Sequence, residues 1–159
     1  MVYIKSEKID TIIIPEKSLR FRVIANSNSL SDYKTKTNIK NILEKELAMI
    51  LSKAQTLEET KQIITNNLDN IDLLVKENLV TTNQDYEINF GNNYFPKKNY
   101  KKVVYPEGKY ESLVITLGEG KGENWWCVLF PPLCLLENSE ETTDVEYQFF
   151  VSRIIDYFN

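Results

Sequence analysis

Between Leu19 and Ala25 the chain reads LRFRVIA, in which Leu19, Phe21 and Val23 alternate with Arg20 and Arg22 before the run turns apolar at Ile24. A period of two over that length predicts a strand with an apolar face and the arginines on the other. NSNSLSD follows, a cluster of turn formers in which Ser29 and Asp32 have the spacing of a capping box, so a helix is expected to start there. Ile39, Leu43, Leu47 and Ile50 then recur at helical intervals, with lysines and glutamates opposite, to about Lys53. A second box, Thr56 with Glu59, opens a helix marked by Ile64, Leu68, Ile71, Val75 and Leu79. The short break between the two predicts an antiparallel helical hairpin.

From Asp85 the period returns to two. Tyr86, Ile88 and Phe90 share a face, and Gly91, Asn92 and Asn93 read as a turn into YFPKKNYKKVVY. Pro96 disfavours a central strand there, and Lys97, Lys98, Lys101 and Lys102 suit an exposed edge or loop. A turn at 106–109 leads into SLVITLG, whose near-continuous apolar run from Leu113 to Leu117 predicts a central strand, with WWCVLF as its neighbour. Thr143 and Glu146 form a third capping box, followed by the stripe Tyr147, Phe150, Val151, Ile154 and Phe158 of a terminal helix. The expected class is α+β: a mostly antiparallel sheet of four to five strands, with the helical hairpin and the C-terminal helix packed on it.

At 159 residues, 42% hydrophobic and 26% charged, the chain has the size and composition of one globular domain. A net charge of -4 and a pI near 5.0 argue against a nucleic-acid binder, which needs a concentrated basic surface. The N-terminal apolar cluster, Ile12 to Ile14, is too short for an export segment or a membrane span.

The sequence contains no histidine, which removes a Ser-His-Asp triad, a Cys-His pair and the usual zinc ligands. No metal or cofactor is expected. GEGKGENWWCVLFPPLC (118–134) concentrates the remaining candidate chemistry. Its glycines are spaced G-x-G-x-G, which is neither nucleotide-loop spacing, and an apolar strand follows where a helix should receive a phosphate; a glycine-rich hairpin or bulge is the plainer reading. Glu119 and Glu123 could serve a glycosidase as paired carboxylates, or lie solvated beside Lys121. Trp125 and Trp126 would point to opposite faces of a strand, one toward the core and the other available for stacking on a sugar or a peptide. Cys127 and Cys134 lack C-x-x-C spacing; the interval leaves open a disulfide turned by Pro131-Pro132 or two buried thiols.

Two stretches, IPEKSLRFRVIANSNS (14–29) and YESLVITLGEGKGENWWCVLFPPLCLLE (110–137), resemble the stage II sporulation protein R family of endospore-forming bacteria. SDYKTKTNIKN departs from that family's usual start to the first helix, with Tyr33 where glutamine is usual. The resemblance implies a non-catalytic messenger, made in the forespore and secreted into the space between the two septal membranes. There it would activate a membrane-embedded aspartic protease of the mother cell, stage II sporulation protein GA, which processes the precursor of sigma factor E. It further implies that residues 1–15 are a remnant behind a removed export segment, that 16–158 form the signalling domain, and that Cys127 and Cys134 are bridged, since disulfides persist outside the cytoplasm.

The family carries no residue-level binding site onto this sequence. The candidates for the partner surface are the polar turn Asn26, Ser27, Asn28 and Ser29, and the loop residues Glu119, Lys121, Glu123, Asn124, Trp125 and Trp126, because both stretches expose polar backbone between rigid elements. The competing expectation is a cell-wall glycosidase using Glu119 or Glu123, or a sugar-binding module using the tryptophans.

Overall fold

In the computed structural model, which describes residues 12–100 and 103–132, the first period-two run forms β2 (Leu19–Ile24), preceded by the two-residue strand β1 (Ile12–Ile13). Helix α1 (Leu30–Ile50) starts at its expected cap, where the Asp32 N–H donates to Ser29 Oγ at 3.1 Å. Ile39, Leu43 and Leu47 form its buried stripe. The second cap also forms. The Glu59 N–H donates to Thr56 Oγ1 at 3.0 Å, and Glu59 Oε1 accepts from Gln55 N–H at 2.8 Å, one residue before the cap itself.

The single helix expected to run through Leu79 is instead two, α2 (Leu57–Asn66) and α3 (Leu68–Glu77), broken at Asn67. Thr65, Asn66 and Asn67 are weak helix formers, and the Asn67 side chain donates to Ile63 O at 2.8 Å, competing with the backbone ladder at the break. Ile64, Ile71, Val75 and Leu79 still reach one core, so the apolar rhythm recorded burial correctly and continuity wrongly.

The remaining strands are β3 (Tyr86–Phe95), β4 (Lys98–Tyr100), β5 (Val103–Tyr105), β6 (Gly108–Leu117) and β7 (Asn124–Phe130). They make two sheets, a larger one ordered β3-β6-β2-β7 and a smaller one ordered β1-β5-β4. β4, which carries Lys98, is an edge of the smaller sheet among the described residues. Three expectations are corrected here. The larger sheet is mixed, because β2 lies parallel to β6 while β3 and β7 are antiparallel to their neighbours. β7 pairs with β2 and not with β6, because β2, apolar on one face and covered on the other, takes an interior place between them. Gly91, Asn92 and Asn93 make no turn: they pair in register with Ser112, Glu111 and Tyr110 inside a ten-residue β3, cross-strand pairing having overridden the local preference of those residues. The expected terminal helix, the third capping box, Lys101, Lys102 and Cys134 lie outside the described residues.

The larger sheet buries both faces differently. Leu19, Phe21 and Val23 of β2, Leu113, Ile115 and Leu117 of β6, and Cys127 and Leu129 of β7 meet the three helices in one apolar core. On the opposite face Phe95, Tyr110 and Val114 cluster with Ile24 and Trp126. Arg20 lies there with 0% of its surface exposed, its guanidinium 3.6 Å from the Tyr110 ring centroid and 5.3–5.9 Å from those of Phe95, Tyr105 and Trp126. It donates to Pro106 O at 3.5 Å, while Nε and Nη1 have no hydrogen-bond partner. Burial pulls its pKa down to about 10, against the opposing influence of Tyr110 and Tyr105, so it remains a cation at neutral pH. Arg22, lowered by burial as well, donates from Nη1 to Tyr94 O at 3.1 Å.

Candidate functional site

The order of the sheet determines where the two candidate stretches meet. Because β2 stands between β6 and β7, residues 118–123 cannot close a hairpin, as the glycine pattern alone suggests; they must cross the end of β2, where Ala25 to Ser29 leave it. The crossing is stitched by backbone bonds from Lys121 N–H to Asn26 O (3.0 Å), Gly122 N–H to Ala25 O (2.8 Å) and Ala25 N–H to Glu123 O (3.3 Å). Side chains lock it further. Asn26 Oδ1 accepts from the Glu119 N–H at 2.8 Å, and Asn28 Oδ1 accepts from the Glu123 N–H at 2.7 Å.

This contact explains two of the glycines. Gly118 has φ +56, and a Cβ there would stand 2.2 Å from Asn26 Oδ1; a Cβ on Gly122 would stand 2.4 Å from the Ser27 carbonyl oxygen. The loop therefore approaches the Asn-Ser turn as closely as backbone allows, which is the service glycine provides here.

Asp32 organises the turn from the first turn of α1. Its Oδ2 accepts from Ser27 Oγ (2.5 Å) and Asn26 Nδ2 (2.9 Å), and its Oδ1 from Gln84 Nε2 (3.2 Å). The return half of the expected capping box is thus redirected: the carboxylate serves Ser27 and Asn26, and Ser27 Oγ in turn accepts from the Ser29 N–H at 3.2 Å. These bonds, led by that from Ser27, hold the Asp32 carboxyl below its ordinary pKa. Lys36, buried on α1, donates to Glu123 O at 3.3 Å and so ties the helix to the end of the glycine loop.

Trp125 and Trp126 point to opposite faces, and each is half-buried, so neither is wholly core nor wholly free. Trp125 sits edge-on to Phe21 (centroids 5.5 Å apart) on the helix side, with Lys40 Nζ 4.8 Å from its ring centroid. Trp126 stacks on Phe95 (5.0 Å) and on Tyr105 (6.1 Å), with Lys98 Nζ 5.0 Å from its ring. Around the loop crossing the sequence reading missed Leu30 and Tyr33, which are 69% and 54% exposed. The signal was available: both are apolar yet fall off the Ile39-Leu43-Leu47 stripe, so neither can join the core beneath α1. Lys36 Nζ lies 5.2 Å from the Tyr33 ring, which makes Tyr33, Lys36, Lys40 and Trp125 a border running from the crossing along α1 and β7, with exposed Leu30 three residues before Tyr33 at the start of the helix.

The polar groups at the centre of the crossing are hydrogen-bonded to one another. Asn26, Ser27, Asn28, Ser29 and Asp32 spend their polar atoms on one another and on the glycine loop. Glu119 and Lys121 pair at 3.2 Å, each about three-quarters exposed, and Glu123 and Asn124 are exposed as well. A glycosidase needs one of two carboxyl groups held in apolar surroundings, which neither Glu119 nor Glu123 has. Among the described residues no cluster of three Cys, Asp or Glu side chains is placed to hold a metal ion, and no helix is long and apolar enough to cross a membrane. Cys127 is buried in β7, and the Phe130-Pro131 peptide that follows is cis.

No solved structure matches the chain. Stage II sporulation protein R of Bacillus subtilis (strain 168) is 40% identical over 137 residues, which are 85% of this chain and 61% of that relative's length. The family model described as stage II sporulation protein R matches residues 15–140, taking in β2, the Asn-Ser turn, helices α1 to α3 and the glycine loop. The match takes in the second quoted stretch whole and the first from Pro15 onward, and the chain belongs to the stage II sporulation protein R family.

Proposed function

We propose that this chain is the signalling domain of a secreted sporulation protein, and that it activates the membrane-embedded aspartic protease stage II sporulation protein GA from the space between the forespore and mother-cell membranes. The protease then processes the sigma E precursor. Family membership supports the sporulation role. The observation that carries the binding role is the loop crossing: two polar loops locked to each other, bordered by exposed Leu30 and Tyr33 and half-exposed Trp125. Such a surface loses little conformational entropy on docking, and aromatic side chains at its rim are the usual anchors of a protein interface.

Activation requires that the domain bind the active form of the protease better than the inactive form, because a ligand shifts an equilibrium only by its differential affinity. In this reading the protease supplies the chemistry and the signalling domain supplies binding energy and compartment. A Cys127–Cys134 disulfide belongs to the same proposal; closing so short a loop contributes about 2–3 kcal/mol in the chain-entropy description. Intact mass before and after alkylation tests it: one bridge and no alkylated thiol is the expected result.

The test of function is processing of the sigma E precursor in sporulating cells. The double variant Leu30→Glu, Tyr33→Ala changes exposed side chains only, so it is expected to abolish processing while the melting temperature of the purified domain stays within a few degrees. Normal processing by that variant would remove this surface from the proposal.

A further inference from the structure

Among the described residues strand β3 is an outer strand of the larger sheet, and it pairs with β6 over ten consecutive residues, Tyr86 with Leu117 through Phe95 with Gly108, without a bulge. Strands average about five or six residues, so this is a long, regular edge. Soluble proteins guard such edges with lysine, proline, bulges or inward charges. YEINFGNNYF has no lysine and no proline, and Glu87 is its one charged residue. Glu87, Asn89, Asn92 and Tyr94 are exposed, and Tyr86, Ile88 and Phe90 are only half-buried at the rim of the helix-side core.

We propose that this edge pairs with the same edge of a second copy of the chain. Antiparallel pairing about a two-fold axis at Phe90 keeps the apolar row of both copies on one side of a continuous sheet. It sets Phe90 opposite Phe90, Tyr86 opposite Tyr94, Ile88 opposite Asn92, Glu87 opposite Asn93 and Asn89 opposite Gly91. No like charges face each other, and the aromatic cross-strand pairs are of the kind that stabilises a sheet. A shift by one residue would place the apolar rows and the helices of the two copies on opposite faces of the joined sheet, so the pattern selects against it. Only the Tyr86 end of β3 adjoins the loop crossing, where Asp85 O accepts from the Gly118 N–H at 2.7 Å, and the pairing does not depend on the protease reading.

Sedimentation of the purified chain over a range of concentrations tests the pairing. The expected result is a reversible monomer–dimer equilibrium, with greater hydrogen-exchange protection of β3 amides at high concentration. Asn89→Lys with Asn92→Lys, both at exposed positions, is expected to raise the dissociation constant at least about tenfold without changing thermal unfolding of the monomer, while Asn89→Ser with Asn92→Ser leaves it near wild type. A chain that sediments as a monomer throughout, or a dimer indifferent to the lysines, overturns the proposal; the first result would leave the edge to a strand from another protein.

Discussion

The two faces of the larger sheet are built from the same strands and held by different physics. On the helix side Phe21, Leu113 and Leu43 are apolar side chains meeting apolar side chains, and their burial is favourable in proportion to area. On the other side, one residue along the same strand, Arg20 is buried as a cation among aromatic rings with two guanidinium nitrogens unpartnered. Ring faces attract a cation, but they do not replace the hydrogen bonds that water gave it. The difference teaches that alternation along a strand tells which residues share a side, and leaves open what covers that side.

Phe21→Ala is expected to show the largest effect, a loss of about 3–5 kcal/mol in denaturant unfolding, since it removes a ring from a close-packed core. Gly122→Ala should cost about 1–3 kcal/mol, because the new Cβ must displace the Ser27 carbonyl, and it should reduce precursor processing in step with the distortion of the loop crossing. Arg20→Met sharpens the contrast between the faces: replacing a poorly partnered buried cation with an apolar chain of similar length should change stability by less than about 1.5 kcal/mol. A loss as large as that of Phe21→Ala would show the guanidinium to be far better compensated than its bonds suggest.

The smallest effect is a pH dependence. Asp32 is held below its ordinary pKa in the folded chain, so its bonds to Ser27 and Asn26 contribute stability that is present above the ordinary aspartate value and lost as the pH falls through the lower folded value. Asp32→Asn should therefore melt below wild type at neutral pH, and the gap should close at strongly acid pH. A gap that stays constant with pH would remove the carboxylate from the account of the turn.

Much of this was legible in the sequence wherever the determinant was local. The β2 alternation, the caps at Ser29 and Thr56, and the central apolar strand β6 all formed as read. What failed depended on partners far along the chain. The β6 strand straightens Gly91, Asn92 and Asn93, and the insertion of β2 between β6 and β7 turns a presumed hairpin into a crossing. The candidate site shows the same division. The Asn-Ser turn and the glycine loop could each be singled out from their residues, yet their contact follows from strand order, which no local period encodes. Leu30 and Tyr33 were visible as apolar residues off a stripe, and Lys36 could not be found because its bond to Glu123 O spans 87 residues.

The most direct test of the central claim is the affinity of the purified domain for the extracytoplasmic portion of stage II sporulation protein GA, measured for wild type, for Leu30→Glu with Tyr33→Ala, and for Asn89→Lys with Asn92→Lys. The account predicts binding by wild type, a loss of at least about a hundredfold in the loop-border variant, and little change in the edge variant. Equal binding by all three would contradict it.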